Sequence, residues 1–167
     1  MEKYYGKHRG TVINNVDPMN IGRLMVQVPD VSSLIPSTWA MPCLPFAGIQ
    51  NGFFAIPAIG SGVWVEFERG DPGYPIWSGC YFSSAADVPS LAVATPPGLQ
   101  TVVIQTIGKN ALMLSDMPGP AGGILLKSPT GATISISDTG ITISNGQGAS
   151  ILMNGSTVSI NEGALVV

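Results

Sequence analysis

The sequence predicts an all-β chain in two parts, a small N-terminal barrel followed by a spike of short strands that associates with copies of itself. Three observations carry this. The 21 glycines and 14 prolines among 167 residues leave few segments able to exceed a dozen helical residues. Short runs of strict apolar/polar alternation recur between those breaks. Charged residues make up only 10% of the chain against 45% hydrophobic, where an ordinary globular domain has about 25% charged, so something other than water covers much of the surface.

The first half offers five strand candidates, Gly10–Asn14, Gly22–Val28, Trp39–Cys43, Gly62–Glu68 and Pro75–Phe82. Each is short and bounded by turn chemistry, the pattern of a closed or nearly closed barrel. In the second, Leu24, Val26 and Val28 fall on one face and Arg23, Met25 and Gln27 on the other. In the fourth, Val63, Val65 and Phe67 alternate with Trp64, Glu66 and Glu68. Asn14-Asn15 and Asp17-Pro18 break the chain between the first two strands, and Gly70-Asp71-Pro72-Gly73 turns it before Tyr74. Asp17 and Arg23 flank the first break, and a salt bridge between them is one reading, two solvated turn charges worth under about 1 kcal/mol the other.

Around residues 83–98 the composition turns to Ser, Ala and Pro without periodicity, which divides the chain into a barrel over 1–85, a linker or neck over 86–98 and a spike over 99–167. From Leu99 onward the only charged side chains are Lys109, Asp116, Lys127, Asp138 and Glu162. A monomeric domain so poor in charge would be poorly soluble, so this half is expected to associate. Its last forty residues alternate through Thr133–Ser137, Ile141–Ser144, Ser150–Asn154 and Thr157–Asn161, with glycines between. Strands begin seven to ten residues apart, short for independent hairpins but suited to a narrow β-helix or prism. The apolar members Ile134, Ile136, Ile141, Ile143, Ile151, Met153, Val158 and Ile160 are the expected core between copies, and intertwining is expected to close the strand edges by interchain backbone pairing.

Several function classes lose support from composition. The net charge is −3 and the seven Lys/Arg are scattered, so nucleic-acid binding lacks its electrostatic drive. No apolar run approaches a membrane span, and the N-terminus lacks a signal-peptide core, so synthesis in the cytoplasm without general secretion is expected. Cys43 and Cys80 have neither C-x-x-C spacing nor partner histidines and are read as two buried free thiols. His8 is the only histidine, which leaves only a site with one ligand per chain open to a metal; no cofactor is expected. Glu66 and Glu68 share a strand face rather than opposing one another across a sugar and are read as a solvated face, so no catalytic residues are assigned.

The blocks Gly10-Thr11-Val12-Ile13-Asn14-Asn15-Val16-Asp17-Pro18, Ile21 through Pro29, Trp39-Ala40-Met41-Pro42, Ala47-Gly48, Gly60 through Glu68 and Gly70 through Gly79, in that order, resemble the OB-fold spike proteins called phage baseplate assembly protein V, related to the barrel of type VI secretion spikes. The resemblance covers residues 6–82. It implies an OB-fold barrel followed by an intertwined triple-stranded β-helix or β-prism spike. It further implies a homotrimer that pierces a target envelope within a phage tail baseplate or contractile injection particle, touching membrane transiently. The chain is too short for the hydrolase or hub domains carried by some relatives, which implies a separate hub protein at the barrel end. The apolar ending Leu165, Val166 and Val167 is expected to dock a PAAR-type tip protein, and the tip lacks the His-x-His metal pair of some relatives. A different reading is an OB-type module for oligosaccharide or single-stranded nucleic acid with an adhesive β-rich tail, for which Trp39, Trp64, Trp77, Tyr81 and Phe82 would be the stacking platform.

Overall fold

The computed structural model describes residues 2–33 and 35–161 and the backbone of 165–166. It divides between Asp87 and Val88 into two compact units.

The first unit contains β1 (His8–Asn14), β2 (Met25–Gln27), the one-turn helix α1 (Pro29–Ser32), β3 (Met41–Pro42), a small hairpin of β4 (Ala47–Gly48) and β5 (Asn51–Gly52), then β6 (Gly62–Phe67) and β7 (Pro75–Tyr81). Five of these strands form a sheet in the order β2-β1-β6-β7-β3, antiparallel except for β3 beside β7. Leu24, just before β2, and Ala40, just before β3, exchange backbone hydrogen bonds of 3.1 and 2.7 Å. That bridge joins the two outer strands and closes the barrel, which removes the open edges of the sheet.

The barrel core follows the alternation. Leu24, Val26, Val28, Val63 and Val65 are essentially inaccessible, with Val12, Ala40, Phe67 and Trp77 packed among them. The Trp77 indole N–H donates to the Gly22 carbonyl oxygen at 3.0 Å, giving the one polar atom of this large side chain a partner. The second strand ends at Gln27 because Pro29 at the first position of α1 diverts the chain immediately after Val28, and on its other side Leu24 bridges to Ala40 instead of extending β2. The two cysteines correct the sequence reading: both Cys43 and Cys80 are exposed. Cys43 lies just beyond the end of β3, and Cys80 lies beyond the register shift in β7 that separates the Val65–Trp77 and Val63–Cys80 pairs. Apolar neighbours in sequence did not decide which way these two side chains point.

The second unit opens with the one-turn helix α2 (Ser90–Val93), which packs on β8. Part of the stretch read as a linker is thus attached to this unit. Eight strands follow: β8 (Thr101–Gln105), β9 (Ala111–Ser115), β10 (Gly123–Lys127), β11 (Thr133–Ser137), β12 (Gly140–Ser144), β13 (Ser150–Asn154), β14 (Thr157–Ile160) and β15 (Leu165–Val166). Each pairs antiparallel with the next, giving one eight-stranded meander. The backbone ladder is therefore made within one chain, and the close spacing of the strands is the spacing of tight hairpins. Two-residue turns at Asp138–Thr139 and Gly155–Ser156 serve one side of the sheet.

Five-residue loops serve the other side, over 106–110, 128–132 and 145–149, and they share one construction. The first residue, Thr106, Ser128 or Asn145, accepts a side-chain hydrogen bond from the backbone N–H of the last at 3.2, 3.1 and 3.0 Å. The fourth residue, Lys109, Gly131 or Gly148, has positive φ. Short polar side chains that bond their own backbone a few residues on are what make such turns from sequence.

Candidate functional site

The antiparallel register of the meander aligns its apolar residues in two cross-strand rows. One runs Val102, Leu114, Ile124, Ile136, Ile141, Met153, Val158, and the other Ile104, Leu112, Leu126, Ile134, Ile143, Ile151, Ile160. All fourteen lie on one face, because side chains two apart on a strand share a side and directly opposed partners do too. At about 4.8 Å per strand the rows extend roughly 29 Å. The other face carries Ser135, Thr142, Ser159 and their like, with Val103, Met113, Leu125 and Leu152 among them.

From β8 to β12 exposure on the two faces runs against what water would select, whereas at β13–β14 Asn154 and Thr157 are exposed and Met153, Val158 and Ile160 are half-buried. Val102 is 54% exposed, Ile104 57%, Ile136 43% and Ile143 40%, whereas Ser135, Ser137, Thr142 and Ser144 are half-buried and Ser115 is buried. Near the start of the meander the second face is partly covered, with Met113 buried and Thr101 donating to Thr95 at 2.7 Å. A monomer rarely leaves an apolar patch above a few hundred Å² open. The continuous isoleucine face is the feature of this unit that requires a partner.

All eight residues read as the spike core, Ile134, Ile136, Ile141, Ile143, Ile151, Met153, Val158 and Ile160, lie in these rows. Six further members, Val102, Ile104, Leu112, Leu114, Ile124 and Leu126, were missed. The signal for them was present but diluted: Val103, Met113 and Leu125 put apolar residues on the opposite face as well, so the alternation of β8–β10 is imperfect. Of the residues expected to dock a tip protein, Leu165 and Val166 are described only as backbone, paired with Ile160 and Ser159. Their side chains, and all of Val167, lie outside the described residues.

In the barrel, Asp17 and Arg23 meet. Asp17 Oδ1 accepts from Arg23 Nε at 2.9 Å, Arg23 Nη2 at 2.7 Å and the Met19 N–H at 3.0 Å. Oδ2 accepts from the Ile21 and Arg23 N–H groups at 3.0 and 3.1 Å. The Arg23 guanidinium, assisted by these three backbone donors and opposed by the loss of water around the carboxyl, holds Asp17 well below the ordinary carboxylate range. Arg23 also lies 5.4 Å from the Trp39 ring. The pair is a clamp on the loop between β1 and β2, whose apolar members Val16 and Met19 project into solvent.

The aromatic residues considered as a stacking platform are dispersed. Trp77 is in the core, Trp39 stacks on Arg23, and Trp64 and Tyr81 lie 5.0 Å apart with the Arg9 guanidinium 5.6 and 5.3 Å from them. Phe82 is exposed. Glu66 pairs with Lys7 at 3.4 Å, and Glu68 begins the turn after β6. His8 packs against Tyr4 and Phe67 with its buried Nε2 unpartnered.

Residues 8–82, the closed barrel, match the family described as the type VI secretion system/phage-baseplate injector OB domain. Residues 101–166, the meander with the open apolar face, match the phage baseplate V C-terminal trimerisation domain. The chain belongs to the phage baseplate V family. As a baseplate V protein it is a structural chain of a spike or baseplate assembly, and the open isoleucine face lies in its trimerisation domain.

Two curated relatives, both of Vibrio cholerae serotype O1, are similar over part of it. The actin cross-linking toxin VgrG1 is 38% identical over 86 residues, and the type VI secretion system spike protein VgrG3 is 33% identical over 106. These stretches cover 50% and 60% of the baseplate V chain but only 8% and 10% of the relatives.

Proposed function

We propose that the chain is the central spike of a contractile tail or injection apparatus, a homotrimer that transmits the force of contraction to a target envelope and pierces it, with a separate hub protein bound at the barrel end and a tip protein at the C-terminal end. The observation that carries this reading is the inverted exposure of β8 to β12 in the second unit. Three copies that turn their isoleucine faces toward a common axis bury both rows and leave serine, threonine and asparagine outside, which gives a stiff rod whose strands are already paired within each chain. Complete burial of an Ile or Leu side chain is worth about 2 kcal/mol. Covering the remaining two-fifths of the nine face residues from Val102 to Ile151 that stay exposed in one chain therefore contributes on the order of 7 kcal/mol per chain.

The role is mechanical, and no residue is assigned to catalysis. A protein partner on the barrel is supported by the β4–β5 hairpin, which exposes Phe46, Ile49, Phe53 and Phe54 together. The test is complementation of particles lacking this chain. Wild-type chain should restore envelope permeabilisation, and Ile143→Asp, which spoils the face, should not. Restoration by Ile143→Asp to the wild-type level would refute the piercing role of the trimer.

A further inference from the structure

Among the described residues of the second unit four side chains are charged, and the meander sorts them by edge. Lys109 sits in the five-residue loop between β8 and β9, and Lys127 ends β10 next to another such loop. Both are on the long-loop edge of the sheet. Asp116 follows β9 and Asp138 lies in the two-residue turn between β11 and β12, both on the opposite edge. All four are exposed and, among the described residues, none makes an ion pair within the chain.

The apolar face alone does not fix the direction in which neighbouring chains run. Its two rows contain seven Ile, Leu, Val or Met residues each and look much the same when a chain is turned end for end. The charged edges do distinguish the two arrangements. A three-fold ring is built from heterologous contacts, in which one surface of each chain meets a different surface of the next. Parallel chains place a lysine edge against an aspartate edge at every contact. An inverted chain places lysine against lysine and aspartate against aspartate.

We propose that Lys109 and Lys127 of one chain meet Asp116 and Asp138 of the next, and that these contacts set the parallel orientation of the spike trimer. The proposal rests on the trimer reading above. The levels agree: the lysines are about one and a half strands apart and the aspartates about two and a half, at roughly 4.8 Å per strand. In an unstaggered ring, as three-fold closure requires, Lys109 stands about half a strand from Asp116 and Lys127 about one and a half strands from Asp138 along the axis, roughly 2 and 7 Å, which a lysine side chain spans. Rim charges of this kind contribute orientation and specificity more than affinity.

The experiment uses the full chain in three forms: Lys109→Asp with Lys127→Asp, Asp116→Lys with Asp138→Lys, and all four changes together. At low salt each paired variant should raise the dissociation constant of the trimer about tenfold or more, and the difference should vanish near 1 M salt. The four-fold reversal should regain wild-type assembly on its own. A four-fold variant weakened as much as the two pairs combined, or paired variants that assemble like wild type at low salt, would overturn the proposal while leaving the trimer intact. A wild-type chain that stays monomeric would remove the trimer reading, and the proposal with it. Because Asp138 Oδ2 also accepts from the Gly119 N–H at 3.0 Å, Lys109→Asp with Asp116→Lys repeats the reversal without disturbing that contact. This smaller swap should assemble like wild type while either change alone does not, and equal behaviour of all three would count against the pairing.

Discussion

Ile136 lies near the middle of its row, opposite Ile124 on one side and Ile141 on the other, and remains 43% exposed in the single chain. Ile136→Asp replaces apolar surface that trimerisation would cover with a carboxylate that trimerisation would desolvate. The first loss is roughly 1 kcal/mol per chain, two-fifths of the burial of one isoleucine. The second is several kcal/mol for each buried ion, and the three carboxylates repel one another near the axis. Together the three copies cost on the order of 10 kcal/mol per trimer, about seven powers of ten in the association constant. Native mass measurement at micromolar concentration should show monomer. Thr142→Asp, on the opposite face of the neighbouring strand, is the matched control and should remain a trimer. If Ile136→Asp assembles and melts like wild type, or if both variants dissociate equally, the assignment of the isoleucine face to the trimer contact is wrong.

Four other outcomes follow from the geometry. Asp17→Asn should lower the melting temperature at neutral pH. Because the folded Asp17 carboxyl is held below its ordinary value of 3.8, its contribution is fully present above that pH and fades as pH falls through the depressed value, so the gap between variant and wild type, followed by circular dichroism, should narrow in strong acid. Trp77→Phe leaves the Gly22 carbonyl without its donor and should cost about 1–3 kcal/mol in denaturant unfolding of the barrel. Gly140 has φ of +133° and a Cβ there would run into the Met153 carbonyl oxygen of the next strand; Gly140→Ala should therefore destabilise the meander by about 1–3 kcal/mol and lower its thermal midpoint. Asn145→Ala removes the acceptor for the Gln147 and Ala149 N–H groups at 2.8 and 3.0 Å and should cost about 1 kcal/mol, read as faster amide exchange in the 145–149 loop.

The barrel strands were legible because one face of each goes to a core: Leu24, Val26 and Val28, and then Val63, Val65 and Phe67, announce themselves by parity alone. Closure was not legible, since the bridge between Leu24 and Ala40 joins residues sixteen positions apart that carry no mark of pairing. The β4–β5 hairpin was overlooked for a related reason, its strands being two residues long with no alternation to read. In the meander the alternation located four strands and their apolar face. It could not say whether a strand's hydrogen-bonding neighbour is the next strand of the same chain or a copy, because both satisfy the same period of two. The turns decided that question. Ser137↔Gly140 and Asn154↔Thr157 close on two residues each, so consecutive strands pair locally, and the face together with the outer edges of β8 and β15 is left for other chains. Cys43 and Cys80 show the limit of reasoning from apolar neighbours, since burial follows the side of the strand and not the company in sequence.

The mass of the full wild-type chain in solution is the decisive quantity. Sedimentation equilibrium or native mass spectrometry at micromolar concentration should give a single species of three times the chain mass of 17.3 kDa. A stable species of 17.3 kDa under the same conditions would mean that the chain tolerates an open isoleucine face unaided, and would contradict the spike.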